Sequence, residues 1–191
     1  MTSRPGRPVL PGDYSVRITV GDHTTEGLIE VRPDPRKARS VAMVEANLEI
    51  YWTGQGKLAE LRAAIRRLDD TQEVVSFYSG RIDDWDGDEE AQEDLKARTD
   101  SLKSHITGLL DRLRLPDGEG IRSDTTITNR LGQAVNEATG SPFRPSTGRR
   151  DQVEWAMNEA DELLEEIERF YVAKVAAYKE ARRSAGFDPL G

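Results

Sequence analysis

The chain contains no cysteine and only two histidines, His23 and His105. Without thiols there is no disulfide framework, no thiolate nucleophile and no zinc–sulfur site. A cysteine-free protein suits the cytosol and the periplasm equally, so the compartment stays open. Neither histidine has a partner at metal-ligand spacing, such as a second histidine four residues away, and both are expected at the surface or its boundary. Positive charge is in deficit: 27 basic residues against 35 acidic ones leave a net charge of −8. That argues against nucleic-acid binding, which needs a basic face to displace counterions, and weakly against an anionic membrane surface. No apolar run approaches a membrane span, and the opening "MTSRPGRPVLPG" lacks the apolar stretch of a signal peptide. Also missing are a G-x-S-x-G elbow and a strand-led glycine-rich phosphate loop.

What is present is mostly amphipathic helix. Hydrophobic residues make up 36% and charged residues 32%, a ratio that suits helices with one apolar stripe and a solvated outer face. The exception is residues 10–36. Tyr14, Val16, Ile18 and Val20 alternate with Ser15, Arg17 and Thr19, the period of a strand with one apolar face. Gly21-Asp22 suits a two-residue turn, because glycine accepts the positive φ at the first position of a type II′ turn. Pairing outward sets Val20 against His23, Ile18 against Thr25, Val16 against Gly27 and Tyr14 against Ile29. Tyr14, Val16, Ile18 and Ile29 then share a face, continued by Val31, and form the candidate interaction face. Pro33 and Pro35 end the strand.

Helical periodicity begins after Arg36. Val41, Val44, Leu48, Tyr51, Leu58, Leu61, Ile65, Leu68 and Val75 predict a helix over 37–79, with an irregularity where Gly54 and Gly56 interrupt the phase. Ala91, Leu95, Leu102, Ile106, Leu109 and Leu113 mark a second helix ending before Pro116. Asp124 or Thr125 can cap a short third helix carrying Ile127, Leu131 and Val135 and stopping at Gly140. Ser146 or Thr147 can cap a last helix, whose stripe runs from Val153 through Ile167 to Tyr178, with Gly186 as its stop. These segments predict a mainly α fold: an antiparallel, coiled-coil-like bundle of three long helices and one short one, preceded by a β-hairpin. The short helix is expected at one end or along one side. The domain division is 1–35 for the hairpin and 36–191 for the bundle.

Candidates for chemistry reduce to ordinary helix features. The acidic stretch Asp83, Asp84, Asp86, Asp88, Glu89, Glu90 fails as a calcium loop, since Glu89 sits where glycine is needed and Leu95 where glutamate is needed. It suits a helix N-terminus instead. Glu162, Glu165, Glu166 and Glu168 alternate with Leu163, Leu164 and Ile167, which describes a solvated face rather than a glycosidase carboxylate pair. Trp52, Trp85 and Trp155 are expected as packing anchors, with Trp85 the one that its acidic loop could expose. No catalytic residue, cofactor site or metal site is assigned.

A lone hairpin is marginal in water, so it either lies on the bundle or completes a larger sheet. The segment "LPGDYSVRITVGDHTTEGLIEVRPDPR" resembles the end of the small β-sandwich in bacterial proteins related to the sortilin (Vps10-type) BNR β-propellers, often labelled glycosyl hydrolases. The resemblance rests on Pro11, Gly12, Tyr14, Val16, Ile18, Val20, Gly21, Val31, Asp34, Pro35 and Arg36, with Ile18 replacing the usual leucine. Pro145-Ser146-Thr147 is similar to the step before that family's final helix, and "FDPLG" to its end. The resemblance implies a non-catalytic C-terminal structural and interaction module. Its partner would be the β-propeller and β-sandwich portion of a parent protein, or another protein, and the parent is expected to be exported. Propeller repeats and Asp-boxes are absent from this sequence, so no catalytic residue carries over. An accessory segment of a glycoside hydrolase and a free-standing helical adaptor are the alternatives.

Overall fold

The computed structural model describes residues 9–32, 41–115, 126–140 and 144–188. Strands β1 (Gly12–Val20) and β2 (His23–Val31) pair antiparallel in the register read from the sequence, with Val20 opposite His23 and Tyr14 opposite Ile29. Gly21 has φ of +58°, and no non-glycine residue described has positive φ, which is the type II′ pattern. Four helices follow: α1 (Val41–Ile82), α2 (Glu89–Leu113), α3 (Ile127–Thr139) and α4 (Thr147–Phe170). The last continues through a π-helical turn, Tyr171–Val175, into α5 (Ala176–Ser184).

The interhelical ion pairs give the directions. Lys57 meets Asp161 at 2.6 Å and Arg67 meets Glu168, so α1 and α4 run parallel. Arg114 meets Asp69 at 2.7 Å and Arg112 meets Glu166 at 2.6 Å, so α2 descends between them. Farther down, α3 continues the same descent: Arg130 pairs with Glu159, while Val135 lies against Gly54. The bundle is therefore three rods, up, down and up. The middle rod is broken into α2 and α3, so the short helix sits at one end, in line with α2.

The seam explains the rods. In α2, Leu95, Thr99, Leu102, Ile106, Leu109 and Leu113 are buried at alternating steps of four and three. In α1, Leu61, Leu68, Val75 and Ile82 recur every seven residues. This is the heptad spacing of left-handed helix packing. Thr99 is the polar member of the seam. Its hydroxyl donates to the Leu95 carbonyl at 2.7 Å and lies 2.9 Å from the Tyr178 hydroxyl, so burial leaves it satisfied.

The corner between α1 and α2 uses the acidic stretch structurally. Asp88 is the N-cap of α2, its carboxylate accepting the Ala91 N–H at 3.2 Å, with Glu89 and Glu90 in the first turn. Gln92 Nε2 donates to the Ile82 carbonyl at 2.6 Å, closing the end of α1. Ser146 caps α4. The C-terminal rod ends in a Schellman motif: Phe187 N–H donates to Arg182 O, Gly186 N–H donates to Arg183 O, and Gly186 has φ of +69°.

Several expectations need correction. The α1 helix extends to Ile82, beyond residue 79, and runs through Gly54 and Gly56 as regular helix. The cap of α3 is Thr126, whose hydroxyl accepts from Asn129 N–H at 3.3 Å; Asp124 and Thr125 lie outside the described residues, as do Pro33, Pro35 and Arg36. Trp52 and Trp155 are not packing anchors, being 62% and 59% exposed. Trp85 is instead partly buried, edge-on to Phe187 at 5.3 Å. The order of the rods explains this: Trp85 lies at the corner that the C-terminal hook folds back upon.

Candidate functional site

The hairpin is two-faced. On one side lie Tyr14, Val16, Ile18, Val20, Ile29 and Val31; on the other Ser15, Arg17, Thr19, Thr24, Glu26, Leu28 and Glu30. The second side is mostly polar, with Leu28, 82% exposed, as its apolar exception. Arg17 Nε donates to Glu26 at 2.6 Å and Thr19 meets Thr24 at 3.1 Å, both across the strand pair. The first side is uncovered where it is most apolar: Ile18 is 56% exposed, Ile29 50% and Val20 72%. Tyr14 and Val16 are partly covered, and Tyr14 donates its hydroxyl to the Leu10 carbonyl at 2.7 Å. No helix packs extensively on either face among the described residues. The structure thus places the four sequence-read residues together on one surface. It adds Val20, which alternation along β1 already assigned to that side.

The remaining candidates are dispersed. His23 is exposed at the turn, and His105 is exposed on α2, stacked on Phe170 at 5.8 Å between ring centres. Glu165, Glu166 and Glu168 each pair with an arginine: Arg169 at 3.4 Å, Arg112 at 2.6 Å and Arg67. Two of these pairs join separate rods, so these carboxylates tie helices together. Asp83 pairs with Lys96 at 2.7 Å, which keeps that lysine protonated above its ordinary range. Among the described residues no group of three or more metal-ligating side chains gathers, and no helix is long and apolar enough to cross a membrane.

A second feature escaped the sequence reading. In α4 the buried residues step Val153, Ala156, Ala160, Leu163, Ile167, Phe170, alternating threes and fours. The next seam positions would be Lys174 and Ala177. The π turn inserts one residue, marked by the Ala176 N–H donating to Tyr171 O, and buries Val175 and Tyr178 instead. The step of five from Phe170 to Val175 was the signal. Beyond that turn α5 packs on α2, while α4 packs on α3 and on α1, and a groove opens between α1 and α5. At its near end Tyr171 donates to the Arg67 carbonyl at 2.8 Å and meets Thr71 at 2.9 Å, with the Arg67 guanidinium 3.6 Å over its ring. Burial raises the Tyr171 and Tyr178 phenols above their ordinary range, against the opposing hydrogen bonds from Thr71 and Thr99.

No protein-family model, curated protein or solved structure matches this chain.

Proposed function

We propose that this chain is a non-catalytic structural and interaction module whose bundle carries the hairpin as a docking element. Its partner is the β-sandwich and propeller portion of a sortilin-like, glycosyl-hydrolase-related protein of an exported type. The observation that carries this reading is the apolar face of Tyr14, Val16, Ile18 and Ile29, half-exposed at Ile18 and Ile29 and only partly covered at Tyr14 and Val16, backed by a mostly polar face. Burying one such side chain stabilises by roughly 1.5–3 kcal/mol, so pairing with strands of such a sandwich has a sizeable driving force. The partner class is supported by the P-G-x-Y-x-V-x-I-x-V pattern of β1 and its glycine turn. Strand addition also satisfies the open backbone edges of a two-stranded sheet.

Hydrogen exchange tests it. Amides of residues 14–31 in the isolated chain should exchange much faster than those of residues 155–175. Adding early sandwich strands of such a protein, in cis or as a separate piece, should slow them. Hairpin amides as protected as the last helix would overturn the reading and favour a free-standing adaptor. Turnover of aryl glycosides that is lost in Glu165→Gln or Glu166→Gln would favour a hydrolase role instead.

A further inference from the structure

The groove between α1 and α5 has a floor, a rim and a size that suit a ligand. Its floor is apolar and aromatic, Val75 and Tyr78 from α1, Val175 and Tyr178 from the third rod, and Phe187 from the C-terminal hook, with the exposed Val74 on the α1 wall. Its volume, about 590 Å³, lies within the range of small-molecule pockets. The rim of α5 is cationic in an otherwise acidic protein, with Lys179, Arg182 and Arg183 along one edge. Arg183 is paired with Glu180 at 2.8 Å. Lys179 and Arg182 form no ion pair among the described residues; the Arg182 guanidinium instead lies 4.1 Å over the Tyr78 ring. On the opposite edge Asp70 disfavours an anion, and Asp188 adds a second carboxylate to the lining. An amphipathic anion placed in this groove would meet Lys179 and Arg182 with its charge and the apolar floor with its body.

The π turn makes this arrangement. It re-phases the rod by one residue and turns Val175 and Tyr178 inward, where both line the groove. Single π turns inside α-helices occur frequently at functional sites. We propose that the groove is a binding site for a small amphipathic carboxylate: an aromatic or short aliphatic acid, held by Lys179 and Arg182 over the tyrosine floor. This site is separate from the hairpin face and does not depend on its partner.

The full chain can be titrated with 4-phenylbutyrate, 4-phenylbutanol and 4-phenylbutylamine, followed by amide chemical shifts. The acid should bind saturably and shift Val175, Lys179 and Gly186 amides. It should bind at least about tenfold more tightly than the alcohol, the return expected from one charge-assisted contact. The Lys179→Gln/Arg182→Gln variant, changed at side chains outside the core, should bind acid and alcohol alike, with an unchanged circular dichroism spectrum. Val74→Trp, at an exposed wall position, should block both ligands. Equal affinity for acid and alcohol in the unmodified chain, preference for the amine, shifts centred elsewhere, or no saturable binding at millimolar acid would each overturn the proposal.

Discussion

A methyl group built on Gly54 would lie 2.3 Å from Cγ2 of Val135, so the hydrogen at this position sets how closely α1 approaches α3. Gly56, two residues on, has open space around it. The two glycines that interrupt the sequence periodicity therefore have opposite prospects. Gly54→Ala should destabilise by about 1–3 kcal/mol through forced separation of the helices. Gly56→Ala should stabilise by about 0.5–1 kcal/mol through helix propensity. Urea denaturation of the two variants checks the sign, and Val135→Ala should relieve part of the Gly54→Ala loss in the double variant. Ile167 and Glu166 make a second contrasting pair. Ile167 is buried mid-seam, and Ile167→Asp should cost several kcal/mol, because a carboxylate enters an apolar site without a partner. Glu166 holds Arg112 at a half-exposed position, and Glu166→Ala should cost at most about 1 kcal/mol. Equal losses in melting temperature would contradict the seam described for α4.

The elements meet through tyrosines as well as leucines. Tyr178 on α5 reaches Thr99 in the seam of α2, and Tyr171 in the π turn reaches the Arg67 carbonyl on α1. Burial favours the neutral phenol in both, raising their pKa above the ordinary 10.0. The unfolded chain thus loses these protons first. Their contribution to stability is complete below pH 10.0 and is lost as pH rises from there through the folded-state values. Urea melts on either side of pH 10 should show this decline, and a tyrosinate absorbance titration should show Tyr171 and Tyr178 ionising late. Tyr178→Phe should flatten part of the alkaline slope. Thr99→Val, which leaves the Tyr178 hydroxyl buried without its acceptor, should cost about 1–3 kcal/mol at neutral pH.

For the whole molecule, the decisive property is how little the hairpin shares with the bundle. The core runs from Leu58 to Phe187 without a hairpin residue. Removing residues 1–36 should therefore leave the thermal midpoint of the bundle within about 3 °C, since 1 kcal/mol corresponds to roughly 2–4 °C at this chain length. A large drop, read by circular dichroism at the helical band, would mean that the hairpin supports the bundle. The groove belongs to this scale too, because α1, the π turn, α5 and the C-terminal hook all have to be in place to form it.

Periodicity by itself determined the element types, the hairpin register and most of the seam, because each depends on neighbours within a few residues. Alternation put Tyr14, Val16, Ile18 and Ile29 on one face before any fold was known. The steps of three and four placed Leu102, Ile106, Leu163 and Ile167 inside, and the Ser146 and Gly186 signals are local capping chemistry. Tertiary structure decided what local pattern cannot specify. An exposed and a packed tryptophan look alike in sequence: Trp85 is held because the distant Phe187 folds onto it, while Trp52 beside Tyr51 and Trp155 beneath the Arg130 guanidinium stay exposed. Gly54 reads as a helix breaker until Val135, from another helix, occupies the space a side chain would need. The groove had no local signature beyond a five-residue step, because its walls are α1 and α5, about a hundred residues apart in the chain. Which side of α5 faces the groove is fixed by the phase of a buried stripe against two other rods, and that relation exists only once all three are packed.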